Sequence, residues 1–170
     1  MRKLDIKKSL EVNTNAAKVW ELIGPEFLNI SEWGRGVAKS WDNESAPKKF
    51  EEAPAGGRYC EVRGFGQLEE NIIHYDNGKY EISWSAVGDK MPGFVSDLQN
   101  QIKVEAIDEN TCRISSHLSA NLNGLMGFLM GFMLKKNFNK LVIGFLNDWK
   151  TYAETGEVSE TKKRELKKSA

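Results

Sequence analysis

The C-terminal part of the chain carries its longest candidate helix, at residues 124–152, GLMGFLMGFMLKKNFNKLVIGFLNDWKTY. A long run of short, strand-like segments precedes it, so this helix is the one large partner against which a sheet could pack. Its first eleven residues, through Leu134, carry no charge and are apolar on every side. From there on, apolar residues recur every three or four positions, the pattern of a helix lying on a sheet. This predicted core stripe comprises Leu134, Phe138, Leu141, Val142, Phe145, Trp149 and Tyr152.

Alternation of apolar and polar residues predicts strands with one buried face in the rest of the chain. The first strand covers residues 4–12, and two short helices follow at residues 16–23 and 26–33. Asn13-Thr14-Asn15 offers a cap for the first helix, and Pro25 suits the start of the second. Six more strands are expected at residues 37–42, 58–63, 67–75, 79–87, 98–107 and 111–122, most of them separated by Gly-, Asn- or Asp-rich turns. The predicted class is α+β, with an antiparallel sheet that has one solvent-exposed face.

The strand at residues 67–75 leaves open which of its faces is buried. The two candidate faces are Leu68, Glu70, Ile72 and His74 against Glu69, Asn71, Ile73 and Tyr75. A two-residue Asn77-Gly78 loop would turn the face of Tyr75 inward. A three-residue Asp76-Asn77-Gly78 loop would place Ile72 opposite Ile82 and turn the other face inward. Both turns are chemically sound.

Composition and charge argue against several classes of function. The chain has 24 basic and 24 acidic residues, so no overall field favours nucleic acid as a partner. The N-terminus lacks the apolar core of a signal peptide, and no stretch reaches the roughly 20 apolar residues that span a bilayer, so we expect a cytoplasmic protein. Cys60 and Cys112 are far apart and indicate buried free thiols in a reducing compartment. Together with His74 and His117 they match no zinc spacing, so no metal is expected.

One domain is predicted over residues 1–157. The length and the content of apolar residues are those of a single globular unit with a core of its own. The remaining residues, 158–170, end in the basic run TKKRELKKSA, which has little apolar support. We expect this segment to be a solvated, frayed tail.

The order of elements, a strand, two short helices, six strands and a long terminal helix, is that of the helix-grip fold. Three stretches carry a family resemblance: VNTNAAKVWELIG, GRYCEVRGFGQLEENIIHYD and the final helix ending in NDWKTYAETGEV. On these grounds the chain resembles the START-like superfamily (SRPBCC) of birch-pollen-allergen-like proteins, lipid-transfer START domains and polyketide cyclase or dehydratase relatives. The resemblance implies a curved antiparallel sheet wrapped on the C-terminal helix, with an internal cavity between them.

The resemblance also favours one face of the ambiguous strand. In such relatives a Glu follows the glycine turn on the inner face, a position that Glu70 would fill, so the face of His74 would be inward. Closing the preceding hairpin then places Cys60 near Glu70, with Arg58 diagonally on the same face. Because an inward carboxylate must be paired, we expect an Arg58–Glu70 ion pair with His74 and Tyr80 beyond it. This polar cluster is either a structural ion pair or an anchor for the polar group of a ligand.

Apolar candidates for the cavity wall come from the inner faces of the strands, from the loop at residues 91–94 and from the long helix. They are Trp41, Ile72, Trp84, Met91, Phe94, Ile102, Ile114, Phe128, Phe132 and Phe138. Trp41 and Trp84 are expected either in the core or in the wall. The Gly-, Met- and Phe-rich start of the helix is either a deformable gate or a packed end whose glycines approach the sheet.

No reaction can be assigned from the sequence, since GxSxG, P-loop and HExxH motifs are absent. We expect the chain to bind an apolar or amphipathic small molecule and to use no cofactor. One alternative is a cyclase- or dehydratase-type enzyme with Glu70 or His74 as general base. A second is a module that contacts a protein or a membrane surface through residues 124–134. No oligomeric state is indicated.

Overall fold

The computed structural model describes residues 2–169, so Met1 and Ala170 of the expected domain and tail lie outside the described residues. Within this range the strands are β1 Arg2–Val12, β2 Val37–Asp42, β3 Gly57–Val62, β4 Gly66–Asp76, β5 Glu81–Gly88, β6 Val95–Ala106 and β7 Cys112–Leu122. The helices are α1 Ala16–Glu21, α2 Ile30–Trp33, α3 Gly124–Thr155 and α4 Glu160–Ser169, with a 3-10 turn at Phe27–Asn29. None of these helices combines the length and the apolar character that a bilayer crossing requires.

The seven strands form one antiparallel sheet in the order β1-β7-β6-β5-β4-β3-β2. Each strand from β2 to β7 pairs with the next along the chain, and β1 closes the row beside β7. The alternation seen in the sequence is realised, since Ile82, Ile102 and Ile114 are completely buried on the inner face. This sheet with its long C-terminal helix confirms the predicted α+β helix-grip fold.

The second half of α3 packs on the sheet through a stripe of apolar side chains. Phe138, Val142, Leu146, Trp149 and Ala153 are buried at steps of three or four residues. Phe138, Val142 and Trp149 belong to the predicted stripe, whereas its member Leu141 is 43% exposed. The indole of Trp149 also donates a hydrogen bond of 3.1 Å to the carbonyl oxygen of Val19 at the end of α1. Helix and sheet are thus joined by a buried apolar seam.

The first turns of α3 combine close backbone contact on one side with exposed apolar side chains on the other. A Cβ at Gly127 would lie 2.7 Å from the carbonyl carbon of Leu122, and one at Gly131 would lie 3.1 Å from side-chain atoms of Leu122 and Arg2. The glycines therefore allow a close approach to β7. Of the two expectations for this segment, the geometry matches the packed helix end rather than a wall of the cavity.

The hairpin between β4 and β5 differs from both turns considered for it. Its loop has four residues, 77–80, and a β-bulge between Ile72 and His74 shifts the register. Ile72 and Tyr75 are both buried as a result, while His74 points towards solvent. A bulge inserts one extra residue, so the side chains beyond it point to the opposite face of the sheet. The face of Glu70 and Ile72 is therefore inward before the bulge, and the face of Tyr75 is inward after it.

The C-terminal segment is helical, which corrects the expectation of a frayed tail. The side chain of Lys162 is buried, and its ammonium donates a hydrogen bond of 2.7 Å to the carbonyl oxygen of Val37. The backbone N–H of Gly36 donates to a carboxylate oxygen of Glu165 at 2.8 Å. These two contacts hold α4 against the first residues of β2. The expectation of a frayed tail was wrong because a lysine can bury its long aliphatic chain while its ammonium group donates a hydrogen bond to a carbonyl oxygen.

Candidate ligand cavity

A cavity of about 180 Å³ lies between the inner face of the sheet and the second half of α3. Side chains of β2 to β7 form its floor, and Ile30 of α2 contributes to one wall. The residues that line it are Ile30, Arg35, Val37, Arg58, Cys60, Val62, Phe65, Leu68, Glu70, Trp84, Ala86, Met91, Leu98, Asn100, Ser116, Leu118, Phe138, Leu141, Val142 and Phe145. Most of them are apolar, so the polar members define what the cavity can recognise.

The cavity comes closest to solvent along one side of α3. Leu141 lines it and is still 43% exposed, and the lining side chain of Arg35 is partly exposed as well. Further along, the rings of Phe65 and Phe138 meet with centroids 5.7 Å apart and bridge the turn between β3 and β4 to the helix.

The main polar feature of the cavity is an ion pair between Arg58 and Glu70, as predicted. The two residues face each other across β3 and β4, with Nε of Arg58 donating to Oε2 of Glu70 at 2.6 Å. Arg58 is 3% exposed and Glu70 is 8% exposed. The pairing differs from the prediction because the three-residue turn lies at residues 63–65, one position earlier than the predicted strand ends imply. Arg58 is directly opposite Glu70, and Cys60 is the diagonal neighbour.

Both charges of this pair are held by further partners. The indole N–H of Trp84 donates to Oε1 of Glu70 at 3.1 Å, so each carboxylate oxygen accepts a hydrogen bond. Nη1 of Arg58 donates to the carbonyl oxygen of Phe27. The guanidinium carbon lies 3.8 Å from the centre of the Phe27 ring and 5.5 Å from that of Trp84. Aromatic faces and several hydrogen bonds offset the cost of removing these charges from water.

Cys60 lies beside the ion pair and stays protonated. Burial raises the pKa of its thiol to about 12, against a smaller opposing effect of the Arg58 charge. The sulfur is 3.7 Å from Oε2 of Glu70, within reach of a weak S–H donor. The thiolate is the nucleophilic form, so a thiol held in this state is a wall of the cavity rather than a reactive group.

Two further polar residues line the cavity on the β6 and β7 side. The hydroxyl of Ser116 donates to the side-chain oxygen of Asn100 at 2.8 Å. The amide of Asn100 adds N–H donors to this wall. Besides Arg35 at the rim, the cavity therefore has polar groups at two places, Arg58 and Glu70 with the neighbouring Cys60, and Asn100 with Ser116.

The rim residue Arg35 is fixed by a second ion pair. Its guanidinium binds both carboxylate oxygens of Asp148, at 2.8 and 2.6 Å, and its backbone N–H binds one of them at 2.9 Å. The side-chain hydrogen bond to Asp148 raises the pKa of Arg35. Because Asp148 lies on α3 and is completely buried, this pair ties the segment before β2 to the helix.

Six of the fifteen side chains expected at a ligand site line the cavity: Arg58, Cys60, Glu70, Trp84, Met91 and Phe138. Ile72, Ile102 and Ile114 are buried in the adjoining core instead. Phe94 packs against the core without lining the cavity. Phe128 and Phe132 point to solvent.

Three polar or aromatic candidates are placed elsewhere by the strand geometry. Trp41 lies on the outer face of β2 with its ring 5.8 Å from that of Tyr59. His74 is turned outward by the bulge, and its Nε2 is 3.6 Å from a carboxylate oxygen of Glu81. Tyr80 lies in the loop and stacks on Trp20 at 5.7 Å, away from the cavity. Of the predicted cluster of Arg58, Glu70, His74 and Tyr80, only Arg58 and Glu70 line the cavity, with Cys60 beside them.

Several lining residues were not among the predicted ones. Asn100 and Ser116 share the alternating inner face of their strands with Ile102 and Ile114, so the period-two pattern contained that signal. Arg35 lies between Gly34 and Gly36, outside any periodic segment, and no pattern in the sequence links it to Asp148. The others are Ile30, Val37, Val62, Phe65, Leu68, Ala86, Leu98, Leu118, Leu141, Val142 and Phe145.

Comparison with known protein families gives one match that covers most of the chain. Residues 3–154 match the model of a family described as polyketide cyclase/dehydrase and lipid transport. A search of curated proteins found no significant match.

Comparison with solved structures finds the same fold at low sequence identity. An aromatase/cyclase from a Streptomyces species superposes with a TM-score of 0.73 at 12% identity, covering 93% of this chain and all (100%) of that one. A START superfamily protein from Mycobacterium smegmatis gives 0.71 at 12% identity, with coverages of 90% and 99%. Truncated norcoclaurine synthase from Thalictrum flavum gives 0.67 at 13% identity, with coverages of 92% and 96%.

Proposed function

Because this chain belongs to the polyketide cyclase/dehydrase and lipid transport family, we propose that it binds a small apolar or amphipathic molecule in the cavity under α3. The ion pair of Arg58 and Glu70 orients the polar group of that molecule. The observation that carries the proposal is the position of this pair, which is almost fully buried and yet faces a cavity with apolar walls. Ligand sites commonly combine apolar walls with a few fixed polar groups in this way.

The guanidinium of Arg58 indicates which polar group the ligand carries. An arginine has five N–H groups, and the hydrogen bonds to Glu70 and Phe27 use two of them. A ligand that accepts a hydrogen bond, through a carbonyl, hydroxyl or ether oxygen, would add a partner to a buried charge. A second negative charge would compete with Glu70, so we propose a neutral acceptor.

The volume of the cavity limits the size of the ligand. A cavity of about 180 Å³ is comparable to the roughly 150 Å³ apolar cavities that take up one benzene ring. A single ring or a short chain would fit between the sheet and α3 without rearrangement. A larger ligand would need Leu141 and the Phe65–Phe138 contact to move apart.

Two aromatic probes of similar size test the proposal. Toluene has no hydrogen-bonding group, whereas benzyl alcohol carries one oxygen, and binding of each is followed by NMR shifts of the labelled protein. We expect both probes to shift cavity residues. In the double variant Arg58→Met, Glu70→Met the affinity for benzyl alcohol relative to toluene should fall by about tenfold or more, as for a lost hydrogen bond to a charged group.

A variant that fills the cavity supplies the control. Ala86 is buried and lines the cavity, so Ala86→Leu should abolish the shifts from both probes. Ala106→Leu makes the same change at an exposed position of β6 and should leave binding unchanged. If neither probe shifts the cavity residues of the wild-type protein, the proposal is wrong. Unchanged binding to Ala86→Leu would place the probes elsewhere.

The related enzymes motivate a second candidate, a cyclase- or dehydratase-type activity. Glu70 is a carboxylate that faces the cavity, where a general base would be needed. His74, the other residue considered for acid–base chemistry, lies outside the cavity. The enzymatic version therefore depends on Glu70, and turnover that survives Glu70→Gln in a folded protein would exclude it.

A further inference from the structure

The first turns of α3 present a continuous apolar surface to solvent, here called the apolar face of α3. Its six side chains are between 48% and 75% exposed: Leu125, Met126, Phe128, Leu129, Met133 and Phe132. At about 100° per residue they cover less than half of the helix circumference, so they form one surface rather than a scatter. Large contiguous apolar patches of this kind mark interaction sites on proteins.

This exposure follows from how the helix is attached. Gly127 and Gly131 are buried on the opposite side, against Leu122, where a methyl group added at Gly127 would lie 2.7 Å from the carbonyl carbon of Leu122. The helix can therefore contact the sheet only with its glycine side. Rotating the apolar face inward would bring Phe128 or Phe132 to a place that has no room for a Cβ atom. The apolar face is thus fixed outward by the packing of the core.

A row of lysine side chains follows the apolar face along the helix. Phe132, Lys136 and Lys140 are four residues apart and share one side of α3, and Lys135 lies beside them. Residues 124–147 include three lysines and no acidic residue, although the whole chain is neutral.

We infer that the apolar face of α3 docks onto the surface of a membrane that contains anionic lipids. Phenylalanine, leucine and methionine side chains would enter the boundary between headgroups and acyl chains, with the first turns of α3 tilted into the surface and the lysines beyond them at headgroup level. Lys135, Lys136 and Lys140 would meet the phosphate and carboxylate groups of the lipids.

The order of the apolar face and the lysines along the helix favours a membrane over a protein as the partner. An apolar strip followed by lysines without any acidic residue matches the layering of an anionic leaflet, from acyl chains to charged headgroups. A second copy of this chain would instead have to cover the patch with a surface that is itself apolar and basic. Self-association is therefore treated as an outcome of the test.

The docking surface is adjacent to the cavity but independent of it. Phe138 and Leu141, which line the cavity, follow about two turns after Phe132 on the same helix. Docking would thus bring the most exposed side of the cavity near the source of apolar ligands. The inference does not need a ligand in the cavity, because it depends only on exposed residues of α3.

Vesicle flotation with the full chain tests the docking. Vesicles of phosphatidylcholine mixed with phosphatidylserine should carry the wild-type protein, and vesicles of phosphatidylcholine alone should carry much less. Phe128→Ser with Phe132→Ser should lower the partition coefficient at least about tenfold for each ring removed. Lys135→Glu with Lys136→Glu should lower it by about fivefold or more per lysine, and only on anionic vesicles.

Matched control variants separate docking from general effects of apolarity and charge. Ile107→Ser removes an exposed apolar side chain in the loop after β6, and Lys48→Glu with Lys49→Glu reverses another exposed pair of neighbouring lysines. Both controls should float like the wild type. Equal binding to both kinds of vesicle, or equal effects of control and test variants, would overturn the inference. So would a wild-type dimer that fails to bind vesicles and becomes monomeric with Phe132→Ser.

The outcome is distinguishable from that of the ligand proposal. The variants on the apolar face leave the cavity intact, so Phe128→Ser with Phe132→Ser should still bind toluene and benzyl alcohol. Ala86→Leu should lose the probes and keep its binding to anionic vesicles. Failure of one measurement therefore leaves the other interpretable.

Discussion

Arg58 and Glu70 form directly opposed residues of two neighbouring strands, and a single hydrogen bond of 2.6 Å joins their charges inside an apolar cavity. A buried ion pair costs several kcal/mol in lost hydration, which mutual attraction offsets only with good geometry and further hydrogen bonds. Here Trp84 and Phe27 supply those bonds. The pair is thus stable as a unit, and each member depends on the other.

Removing one member of this pair should destabilise the protein far more than removing both. Glu70→Met leaves the Arg58 charge buried without its partner, which should cost about 3–5 kcal/mol of unfolding free energy. Replacing both residues with Met, as in the double variant above, removes the two charges together and should cost much less than either single change. Urea denaturation of Arg58→Met, Glu70→Met and the double variant measures the difference in unfolding free energy. If the costs of the single changes simply add in the double variant, the two side chains do not depend on each other.

The pKa of the Cys60 thiol predicts a loss of stability at alkaline pH. Its ordinary value is 9.0, and burial raises it to about 12 in the folded protein. Between these values the unfolded chain releases the proton and the folded protein keeps it, so the free energy of unfolding falls as the pH rises above 9. The contribution of one such thiol is about 1.4 kcal/mol at a pH of about 10, relative to neutral pH.

Comparison with Cys60→Ala isolates this contribution from those of other groups. Burial also raises the pKa of Cys112 to about 11 and that of Tyr75 to about 12, so the wild type should lose stability through several groups. In Cys60→Ala the loss between neutral pH and about pH 10 should be smaller by about 1.4 kcal/mol. An equally steep alkaline loss in wild type and variant would contradict the protonated, buried thiol.

The sheet was predictable because most of its strands bury one face and expose the other. Ile82, Ile102 and Ile114 lie where alternation places them. The Arg58–Glu70 pair could also be predicted, from an inward-facing glutamate on β4 and the short hairpin that joins β3 to β4. The predicted inward orientation of His74 was wrong, because alternation does not reveal the bulge before this residue. The bulge is an insertion relative to the partner strand, and it is visible only when β4 and β5 are paired.

The helices show a second limit of the sequence. The glycines of α3 indicated close packing or a gate, and the choice required knowing that Leu122 lies against Gly127. In the C-terminal segment, charge density predicted a frayed tail, whereas the buried contact of Lys162 with Val37 forms between residues more than a hundred positions apart. Local composition cannot reveal a partner so distant in the chain.

The contact of α4 with β2 should control access to the cavity. Lys162 binds the carbonyl oxygen of Val37, which lines the cavity, so Lys162→Ala removes a support at its rim. We expect the reaction of Cys60 with a thiol reagent under native conditions to accelerate by about tenfold, as for a local opening made easier by 1–2 kcal/mol. Cys112 lies in the core beside β1 and should not react faster.

A neighbouring lysine provides the control for this effect. Lys163 forms its ion pairs at the surface, with Glu157 and Glu160, so Lys163→Ala should leave the reaction of Cys60 unchanged. Mass spectrometry after labelling and digestion distinguishes the two thiols. Equal acceleration of Cys60 and Cys112 by Lys162→Ala would indicate a general loss of stability and argue against α4 as a support of the rim.

Gly127→Ala tests whether the start of α3 is held by close packing on β7. In an exposed helix this change would stabilise the protein by up to about 1 kcal/mol, since alanine favours the helix. Here the new Cβ would lie 2.7 Å from the carbonyl carbon of Leu122, a backbone atom that cannot move aside by itself. We therefore expect a net destabilisation of about 1–3 kcal/mol, as for an overpacked core. Gly93→Ala adds the same methyl group in open space without a positive φ and should change the unfolding free energy by less than about 0.5 kcal/mol. If Gly127→Ala stabilises the protein instead, the helix is not pressed against the sheet, and its exposed apolar face could turn inward.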